Sequence, residues 1–301
     1  MCGDWGRRYS EISWTNRISS KRKIPDSKAR FQIPRQDSRF HLGFQVNCTR
    51  FQLVSDPSSE KPTTWQMKFN PNKCEHLRIS NKLNLITSRY YINKTLIHEV
   101  PHAKYLGVTI DQKLTWHEHI NNIVNKGNLV DGFLQRNLRK CPMLVKSQCY
   151  LSLLRPVLEY AATVWSPHYQ EDIDKIEMVQ RRAARFVLNR GNRYDSVSKM
   201  IDYLGWPKLE TRRVTAKLVM FYKIINNLVD IHIDDIQTQT PYHYTRGHPL
   251  KFSQLYTRVD AYKFSFIPST IKLWNTLPDH VVNQQSIEKF CTNLHTQYLA
   301  T

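Results

Sequence analysis

A chain of 301 residues with 44 Lys and Arg against 25 Asp and Glu carries a formal charge of +19, which attracts polyanions and speeds encounter with them. Nucleic acid leads among such partners, because neutralising phosphates releases condensed counterions; no polybasic cluster beside an apolar anchor points to an anionic membrane surface instead. Aromatics at 11% exclude a wholly disordered chain, and no apolar run in the sequence is long enough to cross a bilayer.

Residues 1–64 read as a basic, largely irregular segment in which Arg7, Arg8, Arg17, Lys21, Arg22, Lys23, Lys28, Arg30, Arg35 and Arg39 punctuate Ser-, Gln- and Pro-containing sequence. One short strand is expected within it, at Phe44–Val54. Residues 65–116 favour β structure. Asn70-Pro71-Asn72 forms a turn before a strand at Cys74–Ile79, and Asn93-Lys94 sits at the tip of a hairpin within Arg89–Val100. An extended run over Tyr105–Ile110 ends at Asp111, with Gly107 marking a bulge or a close backbone approach.

The pattern turns helical over residues 117–228. His117–Leu138 places Ile120, Ile123, Val124, Val130 and Leu134 at helical spacing, weakened by Gly127 and Gly132. Met143–Trp165 is more apolar, and Pro156 should kink or break it, since proline removes an amide donor and clashes with the preceding turn. Glu171–Leu188 opens with Glu171, Asp172 and Asp174, which suit the positive end of a helix dipole. On a helical wheel Ile173, Ile176, Val179, Ala183, Phe186 and Val187 share one face, and Lys175, Arg181, Arg182 and Arg185 gather on another. An apolar face that docks and a basic face that points outward can lie along a phosphate backbone. A further basic helix over Leu209–Leu228 adds Arg212 and Arg213 as second candidates. Residues 229–301 begin loosely, then give a short helix capped by Ser269 or Thr270 with Pro278 at its exit, and a last helix over Ser286–Tyr298.

These segments, in this order, resemble the C-terminal part of the reverse transcriptase of jockey-like non-LTR retrotransposons. The matching stretches are MKFNPNKCEHLRI (Met67–Ile79), KYLGVTIDQKLTWHEHI (Lys104–Ile120), LRPVLEYAATVWSPH (Leu154–His168), IEMVQRRAARFVLN (Ile176–Asn189), LGWPKLETRR (Leu204–Arg213) and IPSTIKLWNTLP (Ile267–Pro278). Residues 1–64 take no part in it. The resemblance implies a residual palm-like β segment at 65–116, a thumb-like helical bundle at 117–228 and a C-terminal helical segment at 229–301. It also implies that Lys104, Tyr105, Leu106 and Gly107 fall where such enzymes support the primer end. The expected fold is α+β and predominantly helical, with a small antiparallel sheet before the bundle.

Family members polymerise DNA on an RNA template with paired divalent ions, such as magnesium, held by palm aspartates. These include an aromatic-Ala-Asp-Asp hairpin upstream of the stretch matching Trp65. No such hairpin precedes Trp65, where Asp4, Glu11, Asp26, Asp37, Asp56 and Glu60 stand singly, whereas two-metal chemistry needs clustered carboxylates. The expectation is therefore a chain that binds RNA or an RNA–DNA template–primer, with no catalytic or metal residues and no cofactor of its own. Two other readings stay open: an RNA-directed DNA polymerase if a longer product restores the palm, and a decayed copy or adopted protein-interaction module.

Other constellations are weaker. Asp234-Asp235 comes too late in the chain for a polymerase hairpin. His117 and His119, at i and i+2, cannot share a helical face and read as surface histidines. Arg246–His248 has no acidic companion. Trp165, Trp206 and Trp274 stand among apolar residues and read as core rather than as base-stacking platforms. The cysteines Cys2, Cys48, Cys74, Cys141, Cys149 and Cys291 form no C-x-x-C pair. With no N-terminal apolar leader, they suggest free thiols in a cytoplasmic or nuclear setting.

Overall fold

Turn chemistry cuts the first part of the chain into short strands. In the computed structural model, which describes residues 45–48, 51–53, 67–80, 89–92, 94–190, 196–231, 248–254 and 256–299, these are β1 (Gln45–Cys48), β2 (Phe51–Leu53), β3 (Met67–Phe69), β4 (Cys74–Leu77), β5 (Tyr90–Ile92), β6 (Thr95–Ile97), β7 (His102–Tyr105) and β8 (Val108–Asp111). They pair as four two-stranded antiparallel ladders: β1 with β4, β2 with β3, β5 with β6 and β7 with β8. The stretch expected as one strand at Phe44–Val54 is thus two. Between β3 and β4, the Asn70 side chain accepts a 3.1 Å bond from the Asn72 amide, and Pro71 opens a single 3-10 turn, as proline does where its missing N–H is not needed. His76 knits the ladders together. Its amide donates to the His98 carbonyl at 3.0 Å, and its own carbonyl accepts from the Val100 amide at 2.9 Å.

The stretch Tyr105–Ile110, read as one extended strand, is instead a tight hairpin. Tyr105 lies opposite Val108, and the two residues between them, Leu106 (φ 45°) and Gly107 (φ 86°), both adopt left-handed conformations. Two positive φ values at the centre of a two-residue loop match the right-handed twist of the strands it joins. Gly107 is therefore a turn residue. It is also approached closely, since a Cβ added there would meet the Tyr160 ring at 3.3 Å.

Among the described residues the remaining elements are helices: α1 (His117–Asn137), α2 (Met143–Cys149), α3 (Arg155–Glu159), α4 (Ala162–Trp165), α5 (Gln170–Val187), α6 (Val197–Tyr203), α7 (Leu209–Ile225), α8 (Asp260–Lys263), α9 (Phe266–Trp274), α10 (Asp279–Val282) and α11 (Ile287–Leu299). The fold is α+β and predominantly helical. Pro156 does not break the chain where expected. A π-helical turn over Tyr150–Leu154 precedes it, with the Arg155 amide reaching back to the Tyr150 carbonyl, and this wider turn accommodates a residue without a donor. The direction changes later, at Ala161 (φ 52°). The helix α9 begins at Phe266 with Ser265 before it, so Ser269 and Thr270 lie inside it rather than capping it.

Two hydrophobic clusters organise these helices. One gathers Ile120, Leu134, Tyr150, Leu154, Leu158, Trp165, Ile176, Val179, Trp206 and Leu209. The other gathers Leu218, Phe221, Tyr222, Phe252, Ile271, Trp274, Leu277, Val281, Phe290 and Leu294. The helix α7 contributes Leu209 to the first and Leu218 onward to the second, so it spans both. Gly127 is buried, and a Cβ there would stand 3.0 Å from Leu158 and 3.4 Å from Val179. Its absence lets α1 approach α3 and α5. Trp165, Trp206 and Trp274 are all buried, at 0%, 6% and 0% exposure; removing such a ring costs about 3–5 kcal/mol. Among the described residues no helix is long and apolar enough to cross a membrane.

Candidate nucleic-acid interface

Why α5 shows one face to solvent follows from its packing. Ile173, Ile176, Val179, Ala183, Ala184 and Val187 are buried, against α1 above all. The polar residues on that side are used internally. Glu177 accepts the Glu210 amide at 2.8 Å, satisfying one of the free donors at the start of α7, where Lys208 offers no side-chain cap. The Gln180 amide nitrogen donates to the Pro207 carbonyl at 3.0 Å.

The four basic residues expected on the opposite face differ in their surroundings. Arg181 and Arg182 are exposed and Arg185 is half-buried. Arg182 donates to the Asn128 side chain on α1 at 2.8 Å, which holds its guanidinium at the α1–α5 seam. Lys175 is ion-paired within its own helix, 2.8 Å from Glu171 and 3.3 Å from Asp172. Its ammonium is held above its ordinary pKa, by the bond to Glu171 first. Arg190, just past the helix, is exposed as well, and its amide donates to the Arg185 carbonyl at 3.0 Å. The wheel stopped short of it because it lies outside the helical period.

Arg212 and Arg213 are placed otherwise. Arg212 forms a two-pronged ion pair with Glu159 on α3, one contact at 2.9 Å, with side-chain exposures of 12% and 21%. Arg213 is 2% exposed, and desolvation lowers its pKa against the opposing fields of Glu177, Glu210 and Glu159. Both face the protein interior, and Arg212 ties α7 to α3. Four residues on, Lys217 is 8% exposed, its Nζ 3.3 Å from Ser269 Oγ. Burial first, then Arg213, brings its pKa down to about 8.

The Lys104–Gly107 hairpin tip is pinned from the helical side. Tyr160 Oη donates to the Leu106 carbonyl at 3.0 Å, while the Tyr160 carbonyl accepts from Trp165 Nε1 at 2.7 Å. Lys104, Tyr105 and Leu106 are exposed, so the tip projects with its base fixed. Behind it, Asp111 organises the path into α1. Its carboxylate accepts from the Lys113 amide at 2.9 Å, the Thr115 amide at 3.0 Å, Thr115 Oγ1 at 2.5 Å and the Trp116 amide at 3.2 Å, in a loop where Leu114 and Trp116 have positive φ.

The two histidines of the α1 start separate, as i, i+2 spacing requires, but only one is a surface group. His117 is half-exposed and bonded to the buried Asp172. His119 is 2% exposed, accepts the Thr109 amide at 3.2 Å and meets Trp165 edge-on at 5.0 Å. Burial lowers its pKa to about 4. His248 is buried, its Nε2 3.1 Å from the Trp274 carbonyl; Asp234, Asp235 and Arg246 lie outside the described residues. The resemblance implies divalent ions for an intact polymerase. Among the described residues no three His, Cys, Asp or Glu stand together to hold one, and Asp111 and Asp172 are engaged by internal donors.

Comparison with known proteins finds partial sequence similarity to RNA-directed DNA polymerases. The chain is 28% identical over 137 residues to the RNA-directed DNA polymerase from mobile element jockey of Drosophila melanogaster, a match covering 44% of this chain and 15% of that protein. It is 26% identical over 141 residues to the protein of the same name from Drosophila funebris, covering 44% and 15%. To the "Probable RNA-directed DNA polymerase from transposon BS" of Drosophila melanogaster it is 25% identical over 127 residues, covering 41% and 14%. The match thus takes in about one seventh of each relative's length. No family model matches the chain, and no solved structure matches it. The resemblance to jockey-like non-LTR retrotransposon reverse transcriptases is therefore shown over part of the chain.

Proposed function

We propose that this chain, a reverse-transcriptase-related fragment, binds RNA or an RNA–DNA template–primer through the basic face of α5 and carries out no polymerisation by itself. The observation that supports the reading is the division of the arginines. Arg181, Arg182 and Arg185 stand on the solvent side of a helix whose other side is fixed in the core, whereas Arg212 is paired with Glu159 and Arg213 is buried. A row of guanidiniums suits phosphate oxygens, because each planar fork can donate two parallel bonds and loses little freedom in doing so. Lys175 extends the row electrostatically, with its charge shared by Glu171 and Asp172. The hairpin tip at Lys104–Gly107, exposed but anchored by Tyr160, suits support of a strand end, a positional role with no bond made or broken.

The test compares equilibrium binding of an RNA–DNA hybrid to the native chain, to the combined Arg181→Ala, Arg182→Ala, Arg185→Ala variant and to Arg212→Ala. The triple variant should bind at least tenfold more weakly, with every sequence affected alike, and Arg212→Ala should bind as the native chain does once folded. Equal binding by the native and triple-variant chains would reject the interface. Primer extension by the purified chain with magnesium and nucleotides should give no product; incorporation would reject the second half.

A further inference from the structure

The chain turns back on itself where α5 ends. Leu188, the first residue past the helix, donates its amide to the Ala184 carbonyl at 3.1 Å. The Asn189 amide then donates to the Phe186 carbonyl at 3.2 Å, and the Arg190 amide to the Arg185 carbonyl at 3.0 Å. These paired bonds make a Schellman motif, whose first residue beyond the cap takes a left-handed conformation. Glycine usually fills that place, because a Cβ is crowded there. Here it is Asn189, at φ 51°, and a second helix holds it. Lys146 of α2 is 1% exposed, a rare burial for a lysine. Its Nζ donates to Asn189 Oδ1 at 2.5 Å and stands 4.8 Å from the centre of the Phe186 ring. The cation thus sits at the negative end of the α5 dipole, touching both the last helical turn and the residue that reverses the chain.

We infer that Lys146 is a positioning residue: by clamping Asn189 in its left-handed turn it sets Arg190 beside Arg185 and adds a fourth guanidinium to the strip on α5. The inference rests on phosphate binding by that strip and adds to it one contact and the device that places it. Had the helix run on, Arg190 would stand about 140° around the axis from Arg185, at about 100° per residue. The reversal instead brings its amide under the Arg185 carbonyl and leaves its side chain exposed. Lys146, being enclosed, touches no phosphate; it acts through Asn189 and Arg190. A lysine kept only to hold α2 against α5 would have no use for the Asn189 side chain, which is itself exposed and could be served by water.

The test measures binding of an RNA–DNA hybrid by the full chain across a salt series. Arg190→Ala should make the slope of log affinity against log salt shallower by about 1. Lys146→Met, which keeps an unbranched side chain in the core, should give most of the same loss, and adding Arg190→Ala to it should take away little more. Asn189→Ala, at an exposed site, removes both the acceptor and the tolerance of left-handed backbone; it should act alike and guards against a Lys146→Met chain that fails to fold. Lys146→Met combined with Asn189→Gly should return to the native slope, because glycine adopts the left-handed conformation unaided. A lysine with a merely structural role, or one acting by its charge, predicts no such return. An unchanged slope in Arg190→Ala, a native slope in Asn189→Ala or in folded Lys146→Met, or a loss that glycine fails to restore each overturns the inference. In those cases a shallower slope for the combined Arg181→Ala, Arg182→Ala, Arg185→Ala variant leaves the α5 interface standing. A native chain that binds no hybrid removes both.

Discussion

Arg212 and Lys217 share one helix, and their surroundings make opposite predictions. The Arg212–Glu159 pair is planar, two-pronged and largely shielded, so a charge-assisted bond there contributes more than a surface pair does. Arg212→Ala should lower the unfolding free energy by about 2 kcal/mol, read from denaturant midpoints, and Arg212→Ala combined with Glu159→Ala should cost less than the two single changes added. Lys217 is a buried cation with a hydroxyl for company. Its folded pKa of about 8 lies below the ordinary 10.5, so between those values the unfolded chain holds a proton that the folded chain has released. Stability should therefore rise from about pH 8 to about 10.5, and Lys217→Met should flatten the rise and raise stability at pH 7. His119 has the same sign of effect at lower pH. Its folded pKa of about 4 lies below 6.5, so its contribution is intact above pH 6.5 and is lost as pH falls toward 4. A His119→Leu chain should lose less stability across that window in a pH series of thermal melts.

Helix α5 was legible because its apolar residues recur at helical spacing over five turns: every residue of the apolar face read from the sequence is buried except Phe186, which is partly buried, and Asp172, Glu177, Gln180 and Ala184 are buried beside them. A wheel gives faces without neighbours, and that is why Arg212 and Arg213 misled. On α7, flanked by two cores, the side that reads as basic is a packed side, and only the position of Glu159 and Glu177 reveals it. The hairpin β7–β8 was misread for a local reason. Leu106 is apolar and not a turn former, so Tyr105–Ile110 reads as one strand, and the turn exists because Gly107 accepts a positive φ and Tyr160 grips Leu106 from a remote element. Gly107→Ala should accordingly destabilise the chain by about 1–2 kcal/mol, in part by pressing on Tyr160. Tyr160→Phe, which removes the bond to Leu106 and keeps the ring, should cost about 1 kcal/mol. The seven-residue α6 was missed altogether, being too short for a period to emerge from its mixed composition.

At the scale of the molecule, charge and packing divide the work. The Arg212–Glu159 ion pair and the Glu177 cap tie α7 to α3 and α5, while Arg181, Arg182 and Arg185 form a basic strip on the solvent side of α5. Net charge was plain in the sequence. Which cations are structural was not, since that depends on contacts such as Arg212 with Glu159, 53 residues apart. Under the proposed function, binding through this strip and binding by net charge alone differ in how affinity depends on salt. The most direct test is the dissociation constant for an RNA–DNA hybrid measured from low to high salt, for the native chain and for the combined Arg181→Ala, Arg182→Ala, Arg185→Ala variant. A strip that contacts phosphates predicts a slope of log affinity against log salt that is shallower in the variant by about 2–3. Parallel lines with the same slope would contradict it.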